Sequence, residues 1–548
     1  MGSLNKNGIY TLKLCSAYIV FLVNYICIGY SQETLNGNFN ILESEVFKDK
    51  FEDVNFKSIL PNEQGGAIVL KELKMLLKNN MHNSYRSILV EHYNGALEQI
   101  GFTTFNFPYN SKIIEAAVIE NQIYILEISK IKKEIIFTLR VSSLENLFFN
   151  KRELLKISDK DYPGFFEEID NYNTLFYNKK FFFTHKEKII LLLKSDKGKK
   201  QKHTVFVFNK MQLEYQKDIL TDPDNVENRI YLFQDILIED DGNIFTVHKK
   251  YFDNLKESKN DSVNYEFVLT KINKELHHHI NLKTDSKYLA NLMLTKSNNT
   301  LYALGTFSDK DPYSVNNKLL GIQMKRKESE TKGTVLYTFN VKSEPIIENT
   351  AFSNFPDSYF KEKYDDKISK YEIHPMYIKS LHINNNETIT IVGFEKYLVP
   401  TSTGTAGRVN LVPASGNILI SNASLQGKQL WAKHIEMFHS GYKYPVITST
   451  RKNHTLLFLS THKNSFENEG SIMVQKEPLA FSSGKNAKLF SFIINARGQI
   501  YVKNLFENES DKVLFNSVNS CMDYLGNTVF MYGSDNSKNN QVVKIEVQ

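Results

Sequence analysis

Three consecutive histidines, His277-His278-His279, have the side chains best suited to bind a metal ion. On a β-strand, His277 and His279 lie on one face and His278 on the other, so two imidazoles could reach one ion. The neighbouring sequence adds no cysteine, and no carboxylate at a ligand-like spacing, to complete a metal site. The triplet therefore predicts a solvated outer strand rather than a metal centre.

Two acidic stretches offer the hard oxygen ligands that calcium prefers. They are the loop with Asp222, Asp224, Asn225 and Glu227, and the pair Asp309 and Asp311. Neither has the twelve-residue calcium-loop pattern with its central glycine, and acidic side chains are ordinary turn formers. We predict no cofactor and no metal site, with calcium as the one ion that these residues could hold.

Three other features have a structural interpretation beside a functional one. Cys521 lies in an alternating apolar run without a neighbouring base, so we expect a buried thiol rather than a nucleophile. Trp431 could stack against a sugar, but its place beside Leu430 indicates core packing. The basic run Lys197–Lys202 joins two strands and indicates a solvated hairpin loop. The catalytic residues stay unknown, and the lack of a catalytic motif favours a non-enzymatic protein.

The charge balance argues against nucleic acid as a partner. The formal net charge is +6 over 548 residues, and lysines are spread singly among acidic residues. The hydrophobic fraction of 41% is enough for a core, and the 12% aromatic content, nearly all Phe and Tyr, favours strands.

The N-terminus has the pattern of an export signal. Lys6 and Lys13 precede the apolar run Leu14–Ile28, and small residues end the segment at Ser31. The run is short for a membrane-spanning helix, which needs about 20 residues. We predict a signal peptide over residues 1–31, with a retained anchor as the alternative, and a secreted, periplasmic or cell-surface protein without a transmembrane segment. The mature chain would keep Cys521 alone and form no internal disulfide.

A hairpin of two apolar runs around a short polar turn recurs eight times between Phe56 and Ser534. The copies are Phe56–Lys71, Ile113–Ile128, Phe181–Lys194, Ile236–Val247, Leu292–Gly305, Leu381–Gly393, Val446–Ser460 and Cys521–Gly533. A second hairpin follows most copies, with turns such as Asn94-Gly95, Gln426-Gly427 and Arg497-Gly498 that permit a positive φ. One repeat unit is therefore four antiparallel strands.

Repeated four-stranded units predict an all-β fold, a single β-propeller over residues 32–548. The last unit supplies only three strands, and Phe39–Phe47 alternates well enough to provide the fourth. We therefore expect a ring closed by strands from both ends of the chain. Eight blades are favoured, and seven follow if the Phe56–Phe105 unit merges with the last one. Glu344–Glu372, with one helical turn, and Val399–Gly416 break the period and are expected to be loop insertions.

The chain resembles secreted β-propeller proteins of Bacteroidota whose functions are not characterised. The resemblance rests on the signal ending before Gln32-Glu33, the Lys, Asn and Ile bias, and the strand Gly427–Lys433. The resemblance implies the propeller fold and a location in the cell envelope or outside the cell. It implies no catalytic residue. Kelch, WD-repeat and sialidase-type propellers each require a motif that this sequence lacks.

The sequence thus predicts a binding or scaffolding module, expected to be a monomer, with a protein or glycan ligand. The alternative is a calcium-dependent hydrolase or lyase whose carboxylates converge at the channel from different blades. A third hypothesis is an envelope protein that serves only spacing or assembly.

Overall fold

The computed structural model shows an all-β chain. It describes residues 39–49, 51, 54–74, 86–162, 165–168, 181–183, 188–197, 200–209, 211–219, 230–239, 241–309, 311, 331–363, 376–385, 387–402, 409–440, 447–451, 454–462, 466–469, 472–475, 479–480, 487–505, 513–523, 526–535 and 538–547. Residues 41–546 form one compact unit, and residues 1–40 with 547–548 form a second, smaller one. The predicted signal peptide lies outside the described residues.

Eight antiparallel sheets of four strands follow one another along the chain as blades 1 to 8. The first strands are β3 (Val54–Pro61), β7 (Ser111–Ile119), β11 (Phe181–Phe183), β15 (Ile230–Ile238), β21 (Tyr288–Ser297), β25 (Met376–Asn384), β30 (Ile447–Arg451) and β37 (Leu514–Met522). The second strands are β4 (Ala67–Lys74), β8 (Gln122–Ile131), β12 (Lys188–Lys197), β16 (Ile244–Tyr251), β22 (Thr300–Ser308), β26 (Thr388–Ser402), β31 (His454–His462) and β38 (Thr528–Ser534).

The outer half of each blade completes this arrangement. The third strands are β5 (Arg86–Tyr93), β9 (Glu134–Ser143), β13 (Lys200–Asn209), β19 (Tyr265–Ile272), β23 (Thr331–Asn340), β27 (Val409–Ser424), β35 (Ala487–Ile494) and β39 (Asn539–Val547). The fourth strands of blades 1 to 7 are β6 (Gln99–Phe107), β10 (Asn150–Ser158), β14 (Gln212–Asp218), β20 (His277–Leu282), β24 (Ile346–Asn354), β28 (Gln429–Ile435) and β36 (Ile500–Asn504). In blade 8 this place is taken by β1 (Phe39–Glu43) and β2 (Phe47–Lys48).

The first strands surround the centre of the ring. Many contacts between neighbouring blades involve them: β3 touches β7 and β37, β21 touches β15 and β25, and β30 touches β25 and β37. Because strands alternate in direction, the turns between second and third strands share one end of the ring with the connections between blades. We call this end the upper face and the opposite end the lower face.

Several predicted turns have the backbone that their residues favour. Gly242 (φ 92°), Gly427 (φ 88°) and Gly498 (φ 78°) are left-handed, as are Asn298 (φ 52°) and Asn385 (φ 44°). Glycine and asparagine tolerate this conformation best, so these residues end one strand and start the next at little cost. The predicted hairpin repeat is confirmed at these positions.

The hydrophobic core is divided among the seams between blades. In the seam between blades 4 and 5, Phe245, Phe267 and Phe339 are fully buried. A central strand such as β8 buries side chains on both faces, because a blade lies on each side of its sheet. This explains why the second strands are continuous apolar runs rather than strictly alternating ones.

The ring is closed as predicted, by strands from both ends of the chain. Ser44 N donates to Val542 O over 2.9 Å, and Val542 N donates to Ser44 Oγ over 3.0 Å. Phe47 lies opposite Asn540 in the same sheet. The unit Phe56–Phe105 forms its own sheet, β3 to β6, so the ring has eight blades and not seven.

A buried lysine joins the closing strand to blade 1. The Nζ atom of Lys71 lies 2.5 Å from Asp49 Oδ1 and 2.9 Å from Glu91 Oε2, and its side chain is fully buried. Asp49 also accepts a hydrogen bond of 2.9 Å from Asn540 Nδ2 on β39. Tyr93 donates to Glu91 over 3.2 Å. We call Lys71, Asp49 and Glu91 the clasp, because they connect blade 1, the N-terminal segment and blade 8.

The stretch Glu344–Glu372, expected to be a loop insertion with one helical turn, contains a short helix and also an outer strand that was not expected. Ile346–Asn354 forms β24, and Asp357–Lys363 forms a helix of seven residues. β24 is largely exposed, because only one of its edges is paired in the sheet, so it has no run of buried apolar residues. Its strand pattern was therefore hidden in the sequence. The other helix, α1, spans Phe165–Glu168, and the seven-residue one is α2.

The second expected insertion, Val399–Gly416, is also mostly strand. β26 and β27 continue beyond the blade, with Lys396–Ser402 paired to Val409–Ser415, and form an arm that rises from the upper face. β29 (Met437–Ser440) pairs with the arm, and β34 (Leu479–Ala480) adds to it in parallel. A hairpin of β32 (Phe466–Glu469) and β33 (Ile472–Gln475) is inserted in blade 7. No helix among the described residues is long and apolar enough to cross a membrane.

Candidate binding surface on the upper face

Blade 4 carries a folded insertion on the upper face, between β16 and β19. Residues Phe252–Asn264, which we call the blade-4 loop, contain the hairpin β17 (Ser258–Lys259) and β18 (Ser262–Val263). Asn260 (φ 51°) and Asp261 (φ 60°) form its two-residue turn. Two left-handed central residues are the requirement of a type I′ turn, which matches the twist of a hairpin.

The side chain of Asn264 holds the base of the blade-4 loop together. Asn264 is 2% exposed, and its Nδ2 donates to the carbonyl oxygens of Asn254 and Lys256, both over 3.0 Å. Its backbone N–H donates to Glu257 O over 2.9 Å. A buried carboxamide thus supplies the partners that a sheet would otherwise give to these backbone groups. The loop has a defined conformation without a partner.

Glu257 anchors the loop to the blade. Its carboxylate accepts two hydrogen bonds from Lys249 Nζ, over 2.7 and 2.8 Å, and one from Tyr251 Oη over 2.6 Å. Lys249 is 3% exposed, lies 3.8 Å above the ring of Tyr265, and donates to Leu289 O of blade 5 over 3.1 Å. The anchor therefore connects the loop, blade 4 and blade 5.

The electrostatics of the anchor indicate a structural ion pair. Burial lowers the pKa of Lys249, and the Glu257 carboxylate opposes this shift. Burial, and then the same carboxylate, raise the pKa of Tyr251 and of Tyr265. Both phenols stay protonated at neutral pH and can serve as donors. Since these groups are buried and already hydrogen-bonded, they fix the loop rather than face a substrate.

The outer side of the loop presents apolar side chains to solvent. Phe252 is 46% exposed and Leu255 is 57% exposed. Lys259 and Asp253 form an exposed ion pair of 2.6 Å on the same loop. A rigid loop that exposes large apolar side chains within a polar rim has the composition of a protein-binding site.

The acidic pair Asp309 and Asp311 does not converge on one ion. Asp309 Oδ1 accepts a hydrogen bond of 2.5 Å from Lys287, and Asp311 Oδ2 accepts one of 2.7 Å from Ser258 in the blade-4 loop. Each carboxylate therefore holds its own partner on the upper face. The stretch with Asp222, Asp224, Asn225 and Glu227 lies outside the described residues.

The histidine triplet forms the start of the outer strand β20. His277 and His279 share a face, as predicted, with ring centroids 5.6 Å apart, and His277 Nε2 lies 2.7 Å from Ile219 O of blade 3. His278 points the other way, with Nδ1 3.9 Å from Glu344. Within the described ranges, no three His, Cys, Asp or Glu side chains are placed to hold a metal ion.

Cys521 and Trp431 are packing residues. The Cys521 thiol is half-buried against the apolar cluster between blades 8 and 1, and burial raises its pKa, which opposes a nucleophilic role. Trp431 Nε1 donates to Ala496 O over 2.7 Å, and its ring packs on Gly498.

The basic run joins two strands, as predicted: Lys197 ends β12 and Lys200 starts β13, and residues 198–199 lie outside the described part.

Two of the inner strands join neighbouring blades through side-chain hydrogen bonds. In the first strands as described, the carboxylates are Glu115 and Asp235. Asp235 follows a β-bulge of β15 and accepts a hydrogen bond of 2.8 Å from Leu294 N of blade 5. Asn291 bonds both Ile378 N and Ile378 O of blade 6, over 2.9 and 3.0 Å. Bulges reorient these side chains toward the next blade.

Asp235 is expected to make stability fall as the pH rises. Burial raises its pKa to about 7, while the amide of Leu294 and the charge of Lys379 act in the opposite direction. Because this pKa lies above its unfolded value, the stabilisation is complete below about pH 4 and is lost as the pH rises through about 7. Asp235→Asn keeps an acceptor for Leu294 but cannot ionise.

We expect the stability advantage of Asp235→Asn over the wild type to grow by about 2–3 kcal/mol between pH 5 and pH 8, because each pH unit below the folded pKa of about 7 corresponds to about 1.4 kcal/mol. Urea unfolding at both pH values measures this difference. Asp253→Asn, at an exposed carboxylate, is the control and should leave the pH dependence as it is. If the free energy of unfolding fell equally in wild type and Asp235→Asn between pH 5 and pH 8, Asp235 would not be the group responsible for the pH dependence.

Sequence patterns did not single out the blade-4 loop. Its polar composition is that of any surface turn, and Lys249 and Glu257 are separated by residues that give no hint of a contact. Two signals were present: Asn260-Asp261 is a favourable turn pair, and Phe252 and Leu255 are large apolar residues inside a polar segment.

Comparison with known proteins gives structural likenesses only. No protein-family model matches the chain, and no curated protein matches it. The β-propeller domain of the Trilobed protease from Pyrococcus furiosus is 10% identical, with a TM-score of 0.33 over 85% of this chain and 98% of that one. Prolyl oligopeptidase B from Galerina marginata is 10% identical, with a TM-score of 0.35 over 88% of this chain and 56% of that one.

A polysaccharide lyase, Uly1, is 8% identical, with a TM-score of 0.35 over 79% of this chain and 89% of that one. This chain spans little more than half the length of the prolyl oligopeptidases that it matches. The strand order of the eight sheets itself defines the class: the chain is an eight-bladed β-propeller.

Proposed function

We propose that this propeller is an exported binding module that holds a protein partner on its upper face, with the blade-4 loop as the principal contact. The observation that carries the proposal is the rigid loop with Phe252 and Leu255 exposed by 46% and 57%. The N-terminal pattern of residues 1–31 supports export.

The chemistry of the loop favours a protein over a glycan. Apolar side chains that dock in pockets of a partner provide most of the binding energy at protein interfaces. A glycan site would need several convergent polar donors and acceptors beside an aromatic ring. The polar groups of the loop, such as Asn264 and Glu257, are instead turned inward to hold its conformation.

The pre-formed conformation of the loop favours tight binding. A loop that is ordered before it meets a partner loses little conformational entropy on association. Glu257 and Asn264 already fix the backbone on both sides of Leu255. The expected partner surface has an apolar pocket with charged groups at its edge, to match the ion pair of Lys259 and Asp253.

Site-specific crosslinking would find the partner and test the surface in one experiment. A photo-reactive amino acid replaces Leu255 in one variant and Ile346, an exposed residue of outer strand β24, in another. We expect a crosslinked protein at position 255 and none at 346. Equal crosslinking at both positions would argue against a specific upper-face site.

The affinity of the purified partner then gives the energetic test. We expect the double variant Phe252→Ser/Leu255→Ser to bind about 100-fold more weakly, because each large interface side chain contributes on the order of 1–2 kcal/mol. Leu213→Ser/Leu430→Ser is the matched control, since it removes two similarly exposed apolar residues from outer strands. Unchanged affinity in the loop variant would refute the proposal.

A further inference from the structure

The seam between blades 3 and 4 contains a buried pair of histidines. His203 on β13 and His248 on β16 are 3% and 0% exposed. Nδ1 of His203 lies 2.8 Å from Nε2 of His248, and the ring centroids are 4.8 Å apart. The edge of His248 also meets the ring of Phe233. Two imidazoles from neighbouring blades thus share one hydrogen bond inside the apolar cluster of this seam.

Two further histidines extend this line to the surface. His279 and His277 lie opposite Thr270 and Ile272 on the face of blade 4 that contacts blade 3. His277 Nε2 lies 2.7 Å from Ile219 O, and Ile219 N donates to His203 O over 2.7 Å. Four histidines from β13, β16 and β20 therefore follow one seam from its interior to the outer rim.

The same seam contains buried polar atoms that are not hydrogen-bonded. Nδ1 of His248 and the hydroxyl groups of Thr246 and Thr270 have no partner in the described part of the chain. Thr246 and Thr270 are directly opposite each other on β16 and β19, on the face that carries His248. Buried polar groups almost always have a hydrogen-bond partner, so the buried polar atoms of this seam are less completely hydrogen-bonded than is usual in a protein interior.

Most of the charged groups that the structure describes around the pair are cations. On the same face, Lys250 is paired with Glu266 over 2.9 Å. Among the described residues, the titratable groups on the strand faces that meet in this seam are Lys188 on β12, Tyr215 and Lys217 on β14, Lys250 on β16, Glu266 on β19, and His277 and His279 on β20. Asp235 on β15 is directed to Leu294 of blade 5. The side chain of Lys194, opposite His203, lies outside the described part.

Protonation acts against the closed seam. A neutral pair has one N–H between the two rings, whereas two protonated rings place hydrogens on both facing nitrogens and repel each other. Burial lowers the pKa of His248 to about 3. Burial, and then the charges of His277, His278 and Lys250, lower the pKa of His279. Since these pKa values lie below the unfolded ones, the stabilisation is complete above about pH 6.5 and is lost as the pH falls toward 3.

We propose that the seam between blades 3 and 4 is an acid-sensitive joint, closed at neutral pH and opened when its buried histidine pair is protonated. β16 carries His248 on one face and Lys249, which holds Glu257, on the other. Opening of this seam would therefore also disturb the blade-4 loop and release its partner. That consequence rests on the proposed function, whereas the opening of the seam does not.

Hydrogen exchange, corrected for the intrinsic effect of pH, would locate the opening. Going from pH 7.5 to pH 5.5, we expect amide protection in residues 203–209 and 244–251 to fall about tenfold, and about 100-fold at pH 4.5. Residues 67–74 and 528–534, at the seam between blades 8 and 1, serve as the internal reference. Protonation of Asp235 stabilises the fold as the pH falls over part of the same range. The informative quantity is therefore the difference in amide protection between the two seams. Equal changes at both seams would overturn the proposal.

The double variant His203→Leu/His248→Phe removes the titrating pair and replaces both partners by apolar groups. We expect its seam protection to change less than twofold between pH 7.5 and pH 5.5. His92→Leu is the matched control, because His92 is a buried histidine of blade 1 that bonds Asn62. It should keep the wild-type response at the seam of blades 3 and 4. A double variant with an undiminished response would refute the proposal, and if it fails to fold, the wild-type comparison of the two seams decides.

Partner release gives a separate result. With the partner found by crosslinking, its affinity for the wild type should fall at pH 5.5 and stay constant for the double variant. If the seam opened in acid but the affinity for the partner did not change, the acid-sensitive joint would be supported. Its connection to the proposed binding surface would be refuted.

Discussion

Lys71→Met is expected to destabilise the ring by about 3–5 kcal/mol. The substitution keeps most of the apolar stem but leaves Asp49 and Glu91 without the buried ammonium that both contact, at 2.5 and 2.9 Å. Breaking a buried ion pair by removal of one partner has an effect of this size, because the remaining charge is desolvated and uncompensated. Lys71 also lies 5.0 Å and 5.1 Å from the rings of Phe47 and Tyr532, which adds a cation–π contribution.

Equilibrium unfolding in urea measures this change. The matched control is Lys156→Met, which removes an ion pair of 2.8 Å whose partners, Lys156 and Glu134, are about half exposed. We expect the control to lose far less stability than Lys71→Met, because solvent screens an exposed ion pair. Hydrogen exchange should show that β1, β2 and β39 lose protection first in Lys71→Met. If both variants had the same stability, the clasp would not contribute to ring closure.

Glu257→Gln is expected to release the blade-4 loop and to lower stability by about 3 kcal/mol. The variant retains the size of the side chain but removes the charge opposite Lys249, which is 3% exposed. An unpaired buried ammonium is strongly disfavoured. We expect the amides of Glu257 and Asn264 to lose protection against exchange and the partner to bind more weakly, although Phe252 and Leu255 are unchanged.

The control for this variant is Glu266→Gln in the same blade. Glu266 pairs with Lys250 over 2.9 Å, in a more exposed place and away from the loop. It should alter neither loop protection nor affinity. Because burial lowers the pKa of Lys249, alkaline pH should neutralise this lysine and restore part of the stability of Glu257→Gln. A loop that stayed protected in Glu257→Gln would contradict the anchor.

The repeat architecture could be predicted because it depends on local patterns. Turn residues such as Gly427 and Asn298 need a left-handed backbone, and the flanking apolar runs give the strands. The missing fourth strand of the last unit pointed to Phe39–Phe47, and the pairing of Ser44 with Val542 confirms it. Where a strand is an exposed outer edge, as in β24, the apolar pattern fades and the sequence suggested a loop.

The functional elements depend on contacts between residues that are distant in sequence. His203 and His248 are 45 residues apart and belong to different blades, and neither has a neighbour that marks it as one of a pair. The clasp joins Lys71 to Asp49, which are 22 residues apart, and no neighbouring residue marks either one as an ion-pair partner. Such pairs become visible only when the seams between blades are known.

The pairing of Ser44 with Val542 has a consequence for biosynthesis. The two residues are 498 positions apart, so the first strand must wait for almost the entire polypeptide to emerge before it finds its place. The entropic penalty of joining distant segments grows only with the logarithm of their separation, by about 0.6 kcal/mol for each doubling. During that delay blade 1 has an unpaired flank, so this is the stage of folding at which aggregation is most favoured.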